Sequence, residues 1–238
     1  MKKIILFADD FGFSEGMNLG VIKACRKGVI TDINLIVNMM TSKEAVYLHN
    51  QYCPEIPMSA HINFVQGKPI SNPEEIPSLV DENGYFYRSY LWKSDDLEHF
   101  KAKGIIYPSK EDLYKETKAQ ILRFKELTGK MPCHFDAHSM MTEEMKKAFI
   151  QVGKEFGIHE PLDNNAKDLY EVPMHTPSGR SVLNDGTDVN DFLEDHLNLL
   201  KSEHEVNILH FHPGFIDEFI VENTSLILPR AKDLDTLC

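Results

Sequence analysis

The sequence is poor in cysteine and has no long apolar run, and these absences exclude several classes of protein. Its four cysteines, among 238 residues, show neither the spacing of a disulfide framework nor that of a zinc cluster, so we expect free thiols in a cytoplasmic protein. No apolar run approaches the roughly 20 residues that span a bilayer. The apolar stretch near the N-terminus is short and ends in aspartates without a small-residue cleavage site, which argues against a signal peptide.

Positive charge is also scarce. The 25 lysines and arginines are outnumbered by 37 aspartates and glutamates, which gives a formal net charge of −12. Such a surface repels nucleic acids and anionic membranes, so we expect neither as a partner. A neutral substrate, or one bound through a metal ion, fits this charge better. The sequence shows no internal repeat or low-complexity tract, and its length suits one catalytic domain over residues 1–238.

The most informative stretch is an apolar run that ends in two carboxylates. Residues 4–8 read Ile-Ile-Leu-Phe-Ala, which is typical of a strand buried on both faces of a parallel sheet. Asp9 and Asp10 follow directly, and Gly12 allows the chain to turn. Because an unpartnered buried carboxylate is costly, the pair needs an explanation, and the histidines at the ends of three later strands favour a functional site. The alternative is that Asp9 caps a turn and Asp10 begins a loop.

Strands and helices alternate along the rest of the chain. Helical periodicity and capping residues predict helices over 14–28, from 41, over 109–128, from 142 and over 189–201. Strand patterns cover 33–37, 58–64, 133–138 and 206–211. We expect a capping box at Thr41 and Glu44 and a left-handed C-cap at Gly28. The alternation indicates an α/β fold with a parallel sheet or a (β/α) barrel, whose active site lies at the carboxyl ends of the strands.

Histidines mark the ends of three of these predicted strands. His61 lies in the strand predicted over 58–64. His134 and His138, with Asp136 between them, lie in the strand over 133–138. His210 lies in the strand over 206–211, and His212 follows it. Polar neighbours on one strand face lie roughly 6.6 Å apart, so one metal ion reaches only one or two of His134, Asp136 and His138. Each histidine alone is explained as well by structural hydrogen bonding. The group as a whole predicts a catalytic metal site of two histidines, a carboxylate and a water.

A segment over residues 66–108 is rich in proline and glycine and shows no sustained periodicity. We expect a loop-rich excursion over the mouth of the active site, because loops of this length are usually functional or disordered. Its aromatic residues, Trp92 among them, form either a stacking platform for a sugar or an attachment to the protein body. We take Trp92, Asn63 and Asp136 as candidate substrate-binding residues.

Several motifs follow one another in an order that covers nearly the whole chain. They are Ala8-Asp9-Asp10-Phe11-Gly12 with Asn18-Leu19-Gly20, Leu35-Ile36-Val37-Asn38-Met39, His61-Ile62-Asn63 with Gly67-Lys68-Pro69, Pro77-Ser78-Leu79-Val80-Asp81 with Gly84-Tyr85-Phe86, His134-Phe135-Asp136-Ala137-His138, His212-Pro213-Gly214-Phe215, and Arg230 with Asp233-Leu234. In this combination the sequence resembles the YdjC family of carbohydrate deacetylases, whose characterised members remove acetyl groups from chitooligosaccharides.

The resemblance implies a distorted (β/α) barrel related to the polysaccharide deacetylases. It implies hydrolysis of an N-acetyl or O-acetyl group on a carbohydrate, most simply a chitooligosaccharide. It also implies a divalent ion, Mg²⁺ in this family, held by Asp10, His61 and His138, with Asp9 as the general base. Judged by ligand chemistry alone, zinc or another transition metal suits this set equally well.

Two positions depart from the family pattern. The family usually carries a histidine where this chain has Met140, so we expect a different substrate preference. The chain ends at Cys238, where relatives continue into a last helix and strand, and we expect a homodimer partner to cover the gap.

His212 is the predicted general acid. Pro213 and Gly214 stop the strand directly after it, which places its ring at the mouth of the barrel. Asp136 is a candidate carboxylate partner that would favour the protonated ring. The alternative is that His212 only hydrogen-bonds the Pro-Gly turn.

Two other functions are compatible with the sequence. A metal-dependent hydrolase of phosphorylated disaccharides would need a cation near the metal for the phosphate, for which Lys68, Arg88 or Arg180 are available. A non-catalytic, metal-dependent sugar-binding protein is the second, although binding alone requires neither Asp9 nor His212.

Overall fold

Strands and helices alternate in the structure as the sequence predicts. The computed structural model describes residues 3–92, 97–158, 169–171 and 206–238. The strands in this part of the chain are β1 (Lys3–Phe11), β2 (Asp32–Leu35), β3 (Met58–Ile62), β4 (Phe135–Ala137), β5 (Leu169–Glu171) and β6 (Val206–Phe211). Its helices are α1 (Glu15–Lys27), α2 (Ser42–Tyr52), α3 (Leu97–Ala102), α4 (Lys110–Thr128), α5 (Glu143–Phe156), α6 (Glu218–Asn223) and α7 (Leu228–Leu237). The helix predicted over 189–201 lies outside the described residues. None of the described helices combines the length and the apolar composition needed to cross a membrane.

The chain divides into two compact units. The first comprises Met1–Leu35, Met40–Met58 and Asn164–Cys238, and the second comprises Ile36–Met39 and Ser59–Asp163. In the first unit the strands lie in the order β2-β1-β6-β5, and the β1–β2, β1–β6 and β5–β6 pairings are parallel. Parallel pairing brings the carboxyl ends of β2, β1 and β6 to one edge of the sheet. The polar residues predicted at the ends of β1 and β6 therefore become neighbours.

The first unit is built around β1. Of the apolar run, Phe7 and Ala8 are almost fully buried and Ile5 and Leu6 are half-buried. Phe11 beyond the run is fully buried, and α1 adds the buried side chains of Met17 and Val21. Removing this apolar surface from water stabilises the unit by about 25 cal/mol for each Å² buried. The two aspartates at the end of β1 are thus held by a rigid, close-packed support.

Two predicted helix caps in the first unit are wrong, each because of a tertiary contact. Thr41 does precede α2, but its side chain makes no capping hydrogen bond. Its hydroxyl instead donates to the Gly12 carbonyl at 2.7 Å. Gly28 ends α1 in an extended conformation, with φ −107° and ψ −151°, and not in the left-handed region. A Cβ at Gly28 would lie 2.1 Å from the Leu237 carbonyl oxygen, so the close approach of the end of α7 requires the glycine.

The second unit pairs β3 with β4 in parallel, and His61 lies opposite Asp136 in this register. The helix α4 begins and ends as predicted, and α5 begins as predicted. Ser109 and Thr142 cap their N-termini through side-chain hydrogen bonds, and Gly129 and Gly157 close their C-termini in the left-handed conformation. Caps of this kind are encoded locally, which explains why these boundaries were predictable.

The segment over 66–108 is ordered where it is described. It contains short 3-10 helices at Pro73–Glu75 and Ser89–Trp92 and a β-bridge between Val80 and Phe86. From α4, the buried Glu116 carboxylate accepts the backbone N–H groups of Ile70 and Ser71 at 3.0 and 2.9 Å. These bonds attach the start of the segment to α4 within the second unit.

Candidate functional site

The end of β1 bends at Asp10, and its two aspartates have different partners. Asp9 and Asp10 are 2% and 0% exposed. Asp10 has φ 63°, and the pairing of β1 with β2 shifts register between Ala8 and Phe11. A non-glycine residue in the left-handed region is uncommon and is associated with functional sites. The turn that Gly12 was expected to allow is present, and Asp10 as well as Gly12 has a positive φ there.

The Asp9 carboxylate is held by two side chains of the first unit. Asn34 on β2 donates its amide to Oδ1 at 2.7 Å. Nδ1 of His210 on β6 lies 2.9 Å from Oδ2. Both partners are buried, so the orientation of this carboxylate is fixed from either side. A buried, oriented carboxylate of this kind is suited to accepting a proton from a nearby group.

Asp10 forms a buried ion pair within the same unit. Nη1 of Arg230 on α7 donates to Oδ2 of Asp10 at 2.7 Å, and the two side chains are 3% and 1% exposed. Nε of Arg230 donates to the Leu226 carbonyl at 2.8 Å, which fixes the guanidinium. Breaking a buried pair leaves an uncompensated charge, so each partner holds the other in place.

His212 follows directly after β6 and lies between two carboxylates of the first unit. Its Nε2 is 3.9 Å from Oδ2 of Asp9, and its Nδ1 is 4.0 Å from Oδ2 of Asp233. The backbone N–H of His212 donates to that same Asp233 oxygen at 2.7 Å. Burial raises the pKa of Asp233 to about 7, opposed by the His212 amide and by Arg230. The sequence suggested Asp136 as the carboxylate partner of His212, whereas in this unit Asp233 lies beside it.

In the second unit, His61 and His138 form a pair of potential metal ligands. Nδ1 of His61 lies 2.5 Å from Oδ1 of Asp136. The rings of His61 and His138 meet edge to face, 5.3 Å between centroids, and one nitrogen of each lies within 4.8 Å of the other. A carboxylate on one imidazole nitrogen orients the other nitrogen towards a metal. This chemistry fits a divalent ion. Asp10, the third predicted ligand, belongs to the first unit, and the full set stays a prediction.

The other predicted residues of the second unit have structural partners. Nδ1 of His134 lies 2.7 Å from the Ser59 hydroxyl, so His134 and Asp136 have different partners. The Asn63 amide donates to Asn38 and to the Gln66 carbonyl, and its oxygen accepts two backbone N–H groups of the following turn. Trp92 is 2% exposed and donates to the Tyr87 carbonyl at 3.1 Å. The burial of Trp92 favours the interpretation that the aromatics attach their segment to the body.

Four residues hold the catalytic candidates, and sequence analysis assigned this role to none of them, although it named His210 among the strand-end histidines and Arg230 and Asp233 among the motifs. These four residues are Asn34, His210, Arg230 and Asp233. One signal was present in the sequence: Asn34 interrupts an apolar strand. The i, i+3 spacing of Arg230 and Asp233 places them on one face of a helix, which was a second signal.

Comparison with known proteins identifies the family. Residues 3–238 match the family model described as YdjC-like protein. The chain belongs to the YdjC-like family. This confirms the resemblance drawn from the motifs. Among related proteins, Carbohydrate deacetylase 2 of Listeria innocua is 32% identical over 99% of this chain and 90% of its own length. Chitooligosaccharide deacetylase of Serratia marcescens is 29% identical over 99% of this chain and 90% of its own.

The fold of this YdjC-like protein is also found in a solved structure. An Enterococcus faecalis V583 protein, described as a cellobiose-phosphate cleavage protein, superimposes with a TM-score of 0.79. The match covers 99% of this chain and 90% of that one at 23% sequence identity. At that identity the likeness speaks for the fold alone, and it confirms the predicted α/β class of parallel strands and helices.

Proposed function

We propose that this YdjC-like protein is a metal-dependent carbohydrate deacetylase, with a chitooligosaccharide as its substrate. The observation that carries the proposal is the pairing of Asp9 with His212, whose Oδ2 and Nε2 lie 3.9 Å apart at the end of a buried sheet. Hydrolysis of an acetamide needs a base for water and an acid for the departing amine, and these two side chains supply both. The names of the relatives from Listeria innocua and Serratia marcescens support the same reaction.

In the proposed reaction, Asp9 accepts a proton from the attacking water. Asn34 and His210 keep the carboxylate oriented while it does so. His212, in its protonated form, then donates a proton to the amine nitrogen as the bond between the carbonyl carbon and that nitrogen breaks. The products are acetate and a free amino sugar, and one water is consumed.

A divalent ion would be held by Asp10, His61 and His138. When bound, it supplies Lewis-acid activation of the water and stabilises negative charge on the acetyl oxygen. The family resemblance favours Mg²⁺, whereas two imidazoles with one carboxylate suit zinc or another transition metal. A cytoplasmic location and a homodimer stay predictions.

Mass spectrometry of a substrate panel tests the proposal. Chitooligosaccharides, an O-acetylated sugar and a phosphorylated disaccharide are incubated with the protein and Mg²⁺, Zn²⁺, Mn²⁺ or Co²⁺. We expect loss of acetyl and an intact glycosidic bond. Cleavage of the disaccharide or loss of phosphate would favour the phosphorylated-disaccharide hydrolase, and an unchanged panel with sugar binding would favour the binding protein.

The His212→Ala variant, measured on the same substrates, tests the role of His212 as the acid. It should keep its metal and lose roughly 10²–10⁴-fold in turnover, the usual contribution of a general acid. The loss in turnover should be smaller on the O-acetylated sugar, which is an ester, because an alcohol departs more readily than an amine. Equal losses on ester and amide would assign His212 a structural role.

A further inference from the structure

The helix α7 carries two buried charges of opposite sign. Arg230 and Asp233 are 2% and 3% exposed, and their i, i+3 spacing places them on one face of the helix. Burying either charge is costly unless it is hydrogen-bonded. Each of them contacts a residue of the proposed reaction: Arg230 contacts Asp10, and Asp233 contacts His212.

The turn after β6 is attached to α7 on both sides of Pro213. The His212 N–H donates to the Asp233 carboxylate at 2.7 Å, and the Gly214 N–H donates to the Arg230 carbonyl at 3.1 Å. Pro213 between them has no N–H to donate. The backbone that carries the His212 ring is therefore held by two residues of α7.

The His212 ring itself lies between two carboxylates. Its nitrogens are 3.9 Å from Asp9 and 4.0 Å from Asp233, beyond the 2.7–3.2 Å of a direct hydrogen bond. Asp233 therefore hydrogen-bonds the backbone of His212, and its carboxylate lies within range of a charge interaction with the ring. The charged and titratable groups around the pair, in the described part of this unit, are Asp9 and Asp10 on β1, His210 on β6 and Arg230 on α7.

We propose that Asp233 is the positioning residue of His212: it anchors the backbone of His212 and, when ionised, stabilises the protonated ring. The role of His212 as the acid rests on the proposed function, whereas the effect of Asp233 on its ring does not. Because burial raises the pKa of Asp233 to about 7, the carboxylate changes charge near neutral pH. The protonated ring is then favoured only above the pH at which Asp233 ionises.

NMR titration of the His212 ring tests the effect without any substrate. The metal-loaded protein, with histidine labelled on the ring, is titrated as the native chain and as the Asp233→Asn and Asp235→Asn variants, and His212→Ala assigns the signal. Asparagine keeps an oxygen for the His212 N–H but removes the charge. The Asp233→Asn change should lower the midpoint of His212 by about one pH unit. Asp235 is exposed on the same helix, so the midpoint of His212 in Asp235→Asn should equal that in the native protein. An unchanged midpoint in Asp233→Asn would overturn the proposal.

A double-mutant cycle on turnover then links the effect to the reaction. If Asp233 acts through His212, Asp233→Asn should lower kcat about 10-fold in the native protein, with KM unchanged. In the His212→Ala protein the same substitution should lower kcat no further. A general loss of folding would instead lower kcat in both backgrounds. Absence of deacetylation by the native protein would defeat the proposed function, and the NMR titration would still decide the positioning role.

Discussion

At the scale of single residues, the two aspartates of β1 illustrate how neighbours in sequence take different tasks. Asp9 is held by Asn34 and His210, whereas Asp10 is paired with the cation of Arg230. Successive side chains of a regular strand already point to opposite faces, and the left-handed backbone at Asp10 bends the end of β1 away from that regular geometry. Local strain is maintained only where the surroundings determine it, and here β2, β6 and α7 all contribute contacts.

The different partners predict different consequences of substitution. Asp9→Asn should keep the metal and lose roughly 10²–10⁴-fold in turnover, since the amide cannot accept the proton of water. Asp10→Asn should lose both metal and turnover. Elemental analysis of the purified variants and a deacetylation assay measure the two effects. Full activity in Asp9→Asn would show that the base is another residue.

The buried carboxylate of Asp233 also predicts a pH dependence of stability. Its pKa is raised from an ordinary value near 3.8 to about 7 by burial, so the folded protein binds this proton more tightly than the unfolded chain does. The resulting stabilisation is fully present below about pH 4 and is lost as the pH rises through about 7. Asparagine does not ionise, so the free energy of unfolding of Asp233→Asn should not fall in this way as the pH rises. Between pH 5 and pH 8 the variant should therefore be more stable than the native protein by roughly 1–4 kcal/mol.

Denaturant unfolding at several pH values measures this difference. Asp235→Asn, on the exposed face of the same helix, serves as the control and should follow the native curve. Parallel curves for the native protein and Asp233→Asn would show that Asp233 is ionised across this range.

At the scale of elements, the turn that carries His212 also depends on α1. Gly20 faces this turn, and a Cβ there would lie 2.4 Å from the Cα of Gly214 and 2.7 Å from the Pro213 carbonyl oxygen. Backbone cannot yield as a flexible side chain can. The motif around Gly20 and the motif His212-Pro213-Gly214, distant in sequence, are thus two sides of one packing contact.

Gly20→Ala should therefore displace the His212 turn without touching any catalytic group. We expect a destabilisation of about 1–3 kcal/mol, typical of overpacking, and a fall in kcat. Leu19→Ala, on the exposed side of α1, is the matched control and should change neither quantity appreciably. Thermal unfolding and the deacetylation assay provide the readouts, and native behaviour of Gly20→Ala would show that the turn can move freely.

The elements themselves were largely predictable, and their partners were not. Ser109 and Gly129 bracket α4 through local chemistry, and the apolar run of β1 is visible by eye. Thr41 shows where local patterns fail. They predict that its hydroxyl caps a helix, whereas it donates to the carbonyl of Gly12, 29 residues away. Asp9 and His210 are 201 residues apart and Asp10 and Arg230 are 220 apart, so no local pattern relates them.

At the scale of the whole molecule, the predicted metal ligands come from both units. Asp10 lies in the first unit, and His61 and His138 lie in the second. An ion that binds the folded chain but not the unfolded chain adds stability, about 2.7 kcal/mol at a concentration 100 times its Kd. Metal binding should therefore raise the Tm of the native protein, and a chelator should lower it again.

His134 offers a control for this last prediction, because it lies beside β4 but bonds Ser59 and is not a predicted ligand. His61→Ala and His138→Ala should lose the ion in elemental analysis and show no rise in Tm on addition of metal. His134→Asn should keep both the ion and the rise. Because His61→Ala also removes the partner of Asp136, the comparison uses the change in Tm on metal addition and not its absolute value. Equal metal content in the His61→Ala and His134→Asn proteins would place the ion elsewhere in the chain and would remove the ligand set on which the proposed chemistry depends.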